Sequence, residues 1–378
     1  MIDFETYPFE KLEILLDGTA PDSTYEPLTL TVGEPQSQTP KFIQDELCNS
    51  SSLLNRYPAT AGERALNDSM MEFVKRRFGV DLKDSELLST LGTREVLFNF
   101  PQHLLFGKDR AVMAYTNPFY QIYEGAAKAS GAEVFHLDLT KENSYKPDTS
   151  AEFLKKCDLV ILNFPNNPTA SILSVSELEK WVELALKFDF VLLNDECYSE
   201  IYLDTPPPSL LEASLNIGNS NFKNIVVINS ISKRSSAPGL RSGFIAGDSA
   251  LLHGYKRYRT YVGCASPIPL QRAATLAWSD DKHVQNARET YRENFKLAKK
   301  ILGITPPDAT FYIWLKVDNA LEFTLKLYRE YNLKVLPGEY LSRGTHKFNI
   351  GKDYIRIALV DTPTRTEDAL MRIKEALC

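Results

Sequence analysis

A chain of 378 residues with 43% hydrophobic content carries enough apolar material for a large core, and its length suits two closely associated domains. Its 43 basic residues against 49 acidic ones, a formal charge of −6, leave no electrostatic footprint for nucleic acid and argue against a polyanion partner. The cysteines, Cys48, Cys157, Cys197, Cys264 and Cys378, are odd in number and lack metal-ligand spacing, so they support neither a disulfide framework nor a metal site and read as reduced thiols.

The start, Met1-Ile2-Asp3-Phe4-Glu5, has early acids and no long apolar run, and no later stretch approaches the ~20 apolar residues of a membrane span. A soluble, unexported, cytoplasmic protein is expected. No short repeat or low-complexity segment appears, and the prolines punctuate loops. From about Asp68 to Trp278, short apolar runs alternate with amphipathic helical segments, as a mainly parallel sheet covered on both faces requires.

Within that region Gly92-Thr93-Arg94 leads into a helix. The strand-like run Leu159-Val160-Ile161-Leu162 empties into Asn163-Phe164-Pro165-Asn166-Asn167-Pro168-Thr169-Ala170. The helix that follows has capping-box spacing at Ser174 and Glu177, and Val175, Leu178, Trp181, Val182, Ala185 and Phe188 recur at helical intervals as a core stripe. A second buried-strand pattern, Phe190-Val191-Leu192-Leu193, ends at Asp195-Glu196-Cys197-Tyr198. A third, Ile225-Val226-Val227-Ile228-Asn229, ends at Ser230-Ile231-Ser232-Lys233, with Gly239 and Arg241 beyond. The pattern then changes. A charged helix from about His283 to Leu302 precedes Phe311-Tyr312-Ile313-Trp314-Leu315, a helix around Leu321 to Tyr331, Tyr354-Ile355-Arg356-Ile357-Ala358-Leu359 and a closing helix near Thr366 to Leu377, an α+β arrangement.

Lys233 is placed to do chemistry. A primary amine condenses with an aldehyde cofactor, and neighbouring hydroxyls and an arginine can hold that cofactor's phosphate. A lone Ser-x-x-Lys is a weak signal, since most lysines are solvated surface groups. The two upstream clusters change the weighing, because ligand crevices of open α/β sheets lie at the carboxyl ends of strands.

These three clusters, in this order, resemble the pyridoxal-phosphate aminotransferases of fold type I. The resemblance covers nearly the whole chain and extends to Gly92-Thr93-Arg94-Glu95, Asn117-Pro118-Phe119-Tyr120-Gln121-Ile122-Tyr123-Glu124-Gly125, Lys233-Arg234-Ser235 and Tyr258-Arg259-Thr260-Tyr261-Val262-Gly263-Cys264. Within the fold the combination looks like succinyldiaminopimelate aminotransferase, with Ala170 standing where the family usually has glycine. The implied fold is the aspartate aminotransferase-like α/β class: a three-layer α/β/α large domain with a mainly parallel sheet, plus a smaller α+β domain. The implied boundaries are 50–282 for the large cofactor-binding domain, and 1–49 with 283–378 for the small discontinuous one.

The resemblance also implies roles. Lys233 anchors the cofactor and carries the substrate's α-proton, and Asp195 holds the ring nitrogen protonated. Asn167 and Tyr198 bond the phenolic oxygen, and Tyr120 stacks on the ring. Gly92, Thr93, Arg94, Ser230, Ser232 and Arg241 cradle the phosphate, aided by a helix N-terminus. Tyr57 reaches the phosphate of a neighbouring subunit, which implies a homodimer. Arg356 grips the α-carboxylate through its planar fork, with Gly33 close by. The bland alternatives are a loop or capping aspartate, a packed tyrosine and an edge-strand arginine.

The implied substrates are N-succinyl-LL-2,6-diaminopimelate and 2-oxoglutarate, in lysine and diaminopimelate synthesis. Both have a second carboxylate, for which Arg94 and Arg259 are the candidate readers. An aspartate or aromatic amino acid aminotransferase, or a β-lyase, would share the core chemistry. A regulator built on this fold would add a DNA-binding module, and the early position of Thr31-Val32-Gly33-Glu34-Pro35 speaks against one.

Overall fold

The computed structural model describes residues 2–345 and 348–378. Its strands, in chain order, are β1 (Leu28–Thr29), β2 (Leu87–Thr90), β3 (Val112–Asn117), β4 (Glu133–Asp138), β5 (Leu159–Leu162), β6 (Val191–Asp195), β7 (Ile225–Ser230) and β8 (Gly243–Gly247). They continue as β9 (Tyr312–Lys316), β10 (Leu333–Lys334), β11 (Leu336–Pro337), β12 (Gly344–Thr345), β13 (Phe348–Asn349) and β14 (Tyr354–Ala358).

The seven strands β2 to β8 form one sheet in the order β2-β8-β7-β6-β5-β3-β4. Only β8 runs antiparallel to its neighbours β2 and β7; the other pairings are parallel. The continuous apolar runs read from the sequence are buried on both faces, as central strands of such a sheet must be. Val160 and Leu162 of β5, Leu192 of β6 and Val227 of β7 join the core on one face. Leu159, Ile161, Leu193, Val226 and Ile228 alternate to the other.

Helices close both faces. Leu178, Trp181, Val182 and Ala185 of Val175–Phe188 cover the first face, together with Phe73 of Arg64–Phe78 and Trp278 of Ile268–Ser279. The predicted capping box is present: Glu177 N donates to Ser174 Oγ at 3.3 Å, and Ser174 N donates to Glu177 Oε2 at 2.8 Å. Val96, Leu97 and Phe100 of Thr93–Leu105, with Tyr255 of Ser249–Val262, cover the second face. Each large apolar side chain fully buried in these layers contributes about 1.5–3 kcal/mol.

The smaller α+β part is built on the antiparallel sheet β11-β14-β9. Phe295, Ala298 and Ile301 of the long helix Lys282–Leu302, Leu327 of Ala320–Tyr331 and Ile373 of Pro363–Leu377 pack over it. Leu28 and Leu30 join this same core, and β1 pairs in parallel with β10, so the start of the chain lies against its far end. Among the described residues no helix is long and apolar enough to cross a membrane.

Candidate active site

Because β5, β6 and β7 are parallel neighbours, their carboxyl ends emerge on one edge of the sheet. Asn163 and Asn167 follow β5, Asp195 closes β6, Ser230 closes β7, and Lys233 sits in the four-residue helix Ile231–Arg234 just beyond. Thr93 and Arg94 open the helix after β2, while Tyr120 lies in the turn after β3. The smaller sheet supplies Tyr312 from β9 and Arg356 from β14. These residues line one cavity of about 560 Å³. Among the described residues, four cationic side chains, Arg94, Lys233, Arg241 and Arg356, face it against the single carboxylate of Asp195. A cavity with that balance selects an anionic ligand.

Asp195 is 5% exposed, and burial pushes its carboxyl above the usual range. Cys197 N at 3.2 Å and the Tyr123 hydroxyl at 3.0 Å donate to it, which favours the charged form. Glu196, one residue on, faces away: it accepts from Leu210 N at 2.8 Å and Asn194 Nδ2 at 3.1 Å and belongs to the scaffold, its carboxyl pushed up to about 7 by burial.

Arg356 is 5% exposed. It donates through Nη1 to Asn167 Oδ1 at 2.8 Å and through Nη2 to Thr31 O at 2.5 Å, and its guanidinium lies 4.6 Å from the centre of the Tyr312 ring. Its Nε is buried without a partner among the described residues. Tyr198 and Tyr312 share a hydroxyl contact of 2.9 Å, and burial raises the Tyr198 phenol well above its ordinary value. The Lys233 ammonium donates to the Gly33 carbonyl. A Cβ on Gly33 would stand 1.8 Å from Tyr312 Oη, so only glycine lets the backbone come this close.

At the other end, Arg241 takes the left-handed conformation, with φ of 50°, and donates to Pro238 O at 2.8 Å. Gly92, at φ of 77°, lies so near that a Cβ there would meet Arg241 Nη2 at 2.5 Å. Ser230 and Ser232 share a hydroxyl contact of 2.8 Å, and the Thr93 hydroxyl touches Cys197 Sγ at 3.2 Å. Hydroxyls, a guanidinium and a helix N-terminus thus converge as a phosphate site requires. Ala170 takes φ of 61°, the left-handed conformation in which the family's usual glycine sits without strain. The loop still presents Asn167, whose N–H donates to Asn163 Oδ1 at 3.0 Å.

One expected reader of a substrate carboxylate is not at the site. Arg259 is 1% exposed and does not line the cavity. It pairs with Glu95 at 3.0 and 3.1 Å and donates to Ser89 O, Thr60 O and Cys264 O. With its donors committed, Arg259 ties the helix Ser249–Val262 to Glu95 and to the segment around Ser89; it is a structural arginine. Tyr57 also lies outside the cavity of its own chain and is 100% exposed.

Other residues of the site were not singled out from the sequence. Tyr123 bonds Asp195, and Asn163 donates to the Asp195 carbonyl at 3.0 Å. Tyr312 stacks under Arg356, while Tyr7 reaches the cavity from the start of the chain with its hydroxyl buried and without a partner among the described residues. Tyr123 and Asn163 lay inside motifs already marked. Tyr312 read as one more strand aromatic, and nothing around Tyr7 distinguished it.

A lysine, a buried carboxylate and a group of hydroxyl, guanidinium and backbone donors that could hold a phosphate, at the carboxyl ends of a mainly parallel sheet, mark an α/β enzyme of the aspartate aminotransferase type, fold type I. The orphan Arg356 Nε, the Gly92–Arg241 approach and the surplus of cations all fit pyridoxal phosphate with an amino acid beside it. The family profile described as aminotransferase class I and II matches residues 25–373, and the chain belongs to that family. It is similar to the solved aminotransferase AspB from Helicobacter pylori, at 51% identity and a TM-score of 0.96 over 99% of each chain. It is also similar to an aminotransferase from Neisseria meningitidis, at 38% identity and a TM-score of 0.94, covering 100% of this chain and 98% of that one. Among curated proteins, an LL-diaminopimelate aminotransferase from Dehalococcoides mccartyi is 30% identical over 366 residues, covering 92% of this chain and 90% of its own. The protein is a pyridoxal-phosphate-dependent transaminase acting on small amino and oxo acids.

Proposed function

We propose that this transaminase moves an amino group between N-succinyl-LL-2,6-diaminopimelate and 2-oxoglutarate, in lysine and diaminopimelate synthesis, as a cytoplasmic homodimer. The observation that carries the reading is one further guanidinium in the cavity, that of Arg94, beside Arg241 for phosphate and Arg356 for the α-carboxylate. Arg94 donates through Nε to the Tyr120 hydroxyl at 2.6 Å and has no carboxylate partner among the described residues. Both proposed substrates carry a second carboxylate that Arg94 suits. Aspartate shares that feature and is the second reading.

The residue roles belong to the same proposal. Bound pyridoxal phosphate supplies an electron sink for the bond broken at the substrate's α-carbon. Lys233 Nζ would anchor the cofactor and, once free, would take up and return the substrate's α-proton. Asp195 holds a cationic N–H, which relieves its own burial. Asn167 and Tyr198 bond the ring oxygen, and Tyr120 stacks. Gly92, Thr93, Arg94, Ser230, Ser232 and Arg241 form the phosphate end, where the Arg94 guanidinium is also the candidate to meet the distal carboxylate. Arg356 and Gly33 orient the α-carboxylate. The full exposure of Tyr57 supports a second copy covering that side chain. A two-domain division is supported by the separate cores of the two sheets, but Ile43 of the helix Lys41–Asn49 packs into the core of the large sheet, which draws that helix to the large domain and speaks against a boundary at 49/50.

Glutamate formation from 2-oxoglutarate with a panel of donors tests the substrate. Turnover with the succinylated donor and little with aspartate or phenylalanine is the expected result. A preference for either alternative, or release of ammonia and pyruvate, overturns it. Arg94→Ala is expected to raise the KM for 2-oxoglutarate about tenfold or more and to change the KM for pyruvate, which lacks the distal carboxylate, by less than about twofold. Asp195→Asn, which keeps the shape and removes the charge, is expected to lower kcat about 10²- to 10³-fold, checked by single-turnover kinetics on the cofactor-loaded enzyme.

A further inference from the structure

The segment that follows Lys233 is bolted twice to the junction between helices Ile268–Ser279 and Lys282–Leu302. The first bolt is Arg234, 1% exposed, which donates to Ala277 O at 2.8 Å and Asp280 O at 3.3 Å and pairs with Asp281 at 3.0 Å. The second is a serine–histidine–aspartate chain. His283 Nδ1 contacts Asp280 Oδ2 at 2.5 Å, and His283 Nε2 contacts Ser235 Oγ at 2.8 Å. An ionised Asp280 accepts from both the ring and the His283 backbone N–H at 3.0 Å. That fixes the ring proton on Nδ1 and leaves Nε2 to accept from the Ser235 hydroxyl. Ser235 is 2% exposed, so its hydroxyl meets no substrate. Its N–H donates to Ile231 O at 2.9 Å and closes the turn that holds Lys233.

A bolt alone did not need a second set of polar groups. Arg234 already supplies one, and burying a hydroxyl and an imidazole is favourable only while they stay bonded. The helix that begins beside His283 also reaches the far wall of the cavity. Its Tyr291 lies 5.5 Å, centre to centre, from Phe311, which packs at 5.5 Å on Tyr198 and at 4.9 Å on Tyr312. One helix therefore touches the lysine turn at its start and the tyrosines beside Arg356 farther along.

We propose that Asp280, His283 and Ser235 form a positioning relay that sets the Lys233 turn according to how the helix Lys282–Leu302 is seated. The relay rests on Lys233 being the cofactor lysine. The groups facing the imidazole are Asp280 and Asp281 at the junction and Arg234 from the lysine turn, with Phe42 edge-on from the helix Lys41–Asn49. Arg76 of Arg64–Phe78 neutralises the far side of Asp281 at 3.2 Å. Burial and Arg234 push the imidazole below its usual range, against Asp280. Because the imidazole is held below its ordinary value of about 6.5, the neutral ring, and with it the acceptor for Ser235, is kept through neutral pH and lost only as pH falls further, through that lowered value.

The test uses cofactor-loaded enzyme carrying Ser235→Ala, a loss of one oxygen, beside His283→Ala. Ser235→Ala is expected to lower kcat about tenfold by misplacing Lys233. The KM for the amino donor should stay within about twofold, and the pH midpoint of the absorbance band of the lysine-bound cofactor should move measurably. A drop in melting temperature with kcat and that midpoint unchanged would show a merely structural bolt and overturn the relay. If His283→Ala does not fold, Ser235→Ala alone decides. A Lys233→Ala control that keeps the wild-type band would instead overturn the lysine assignment on which the relay rests.

Discussion

Lys233→Ala is expected to lower transamination by about 10⁴-fold or more, because one amine both anchors the cofactor and carries the proton. The remaining cavity should survive the change. Lys233 Nζ bonds only the Gly33 carbonyl among the described residues, whereas Arg241, Asp195 and Arg356 are held by contacts of their own. A steady-state glutamate assay, beside a melting curve within a few degrees of wild type, separates lost chemistry from lost fold. Retention of full turnover at normal cofactor loading would remove Lys233 from the mechanism.

Arg259→Ala is expected to cost about 3–5 kcal/mol of stability, the penalty for leaving a buried charge without its partner. Glu95, with its side chain 8% exposed, would keep the Tyr255 hydroxyl at 2.7 Å but lose both guanidinium contacts. The carbonyls of Ser89, Thr60 and Cys264 would lose their donor as well. Denaturant unfolding measures the loss. The folded variant should show an unchanged KM for 2-oxoglutarate, in contrast to Arg94→Ala. A selective rise in that KM with unfolding unchanged would return Arg259 to the substrate and contradict its structural placement.

The contrast between these arginines marks what the sequence could carry. Strand ends were legible because apolar runs such as Leu159-Val160-Ile161-Leu162 stop abruptly at polar clusters, and a parallel sheet brings such ends together. The helix after β5 was legible from its capping residues and its stripe. Arg259 and Arg94 look alike in sequence, and only the packing of Ser249–Val262 against Glu95 and Ser89 tells the buried one from the one at the cavity. Asp195 and Glu196 differ for a related reason: successive residues at a strand end point to opposite sides, and only one side held the cavity. Tyr123, 72 positions from its partner Asp195, and Tyr7, from the start of the chain, enter the site through long-range contacts that no local pattern records.

The most direct measurement is borohydride reduction of the cofactor-loaded enzyme, followed by mass mapping of its peptides. The expected result is one modified peptide, with the mass of the reduced cofactor fixed on Lys233. Modification of a different lysine, or none at all in protein that carries bound cofactor, would contradict the assignment on which the proposed chemistry stands.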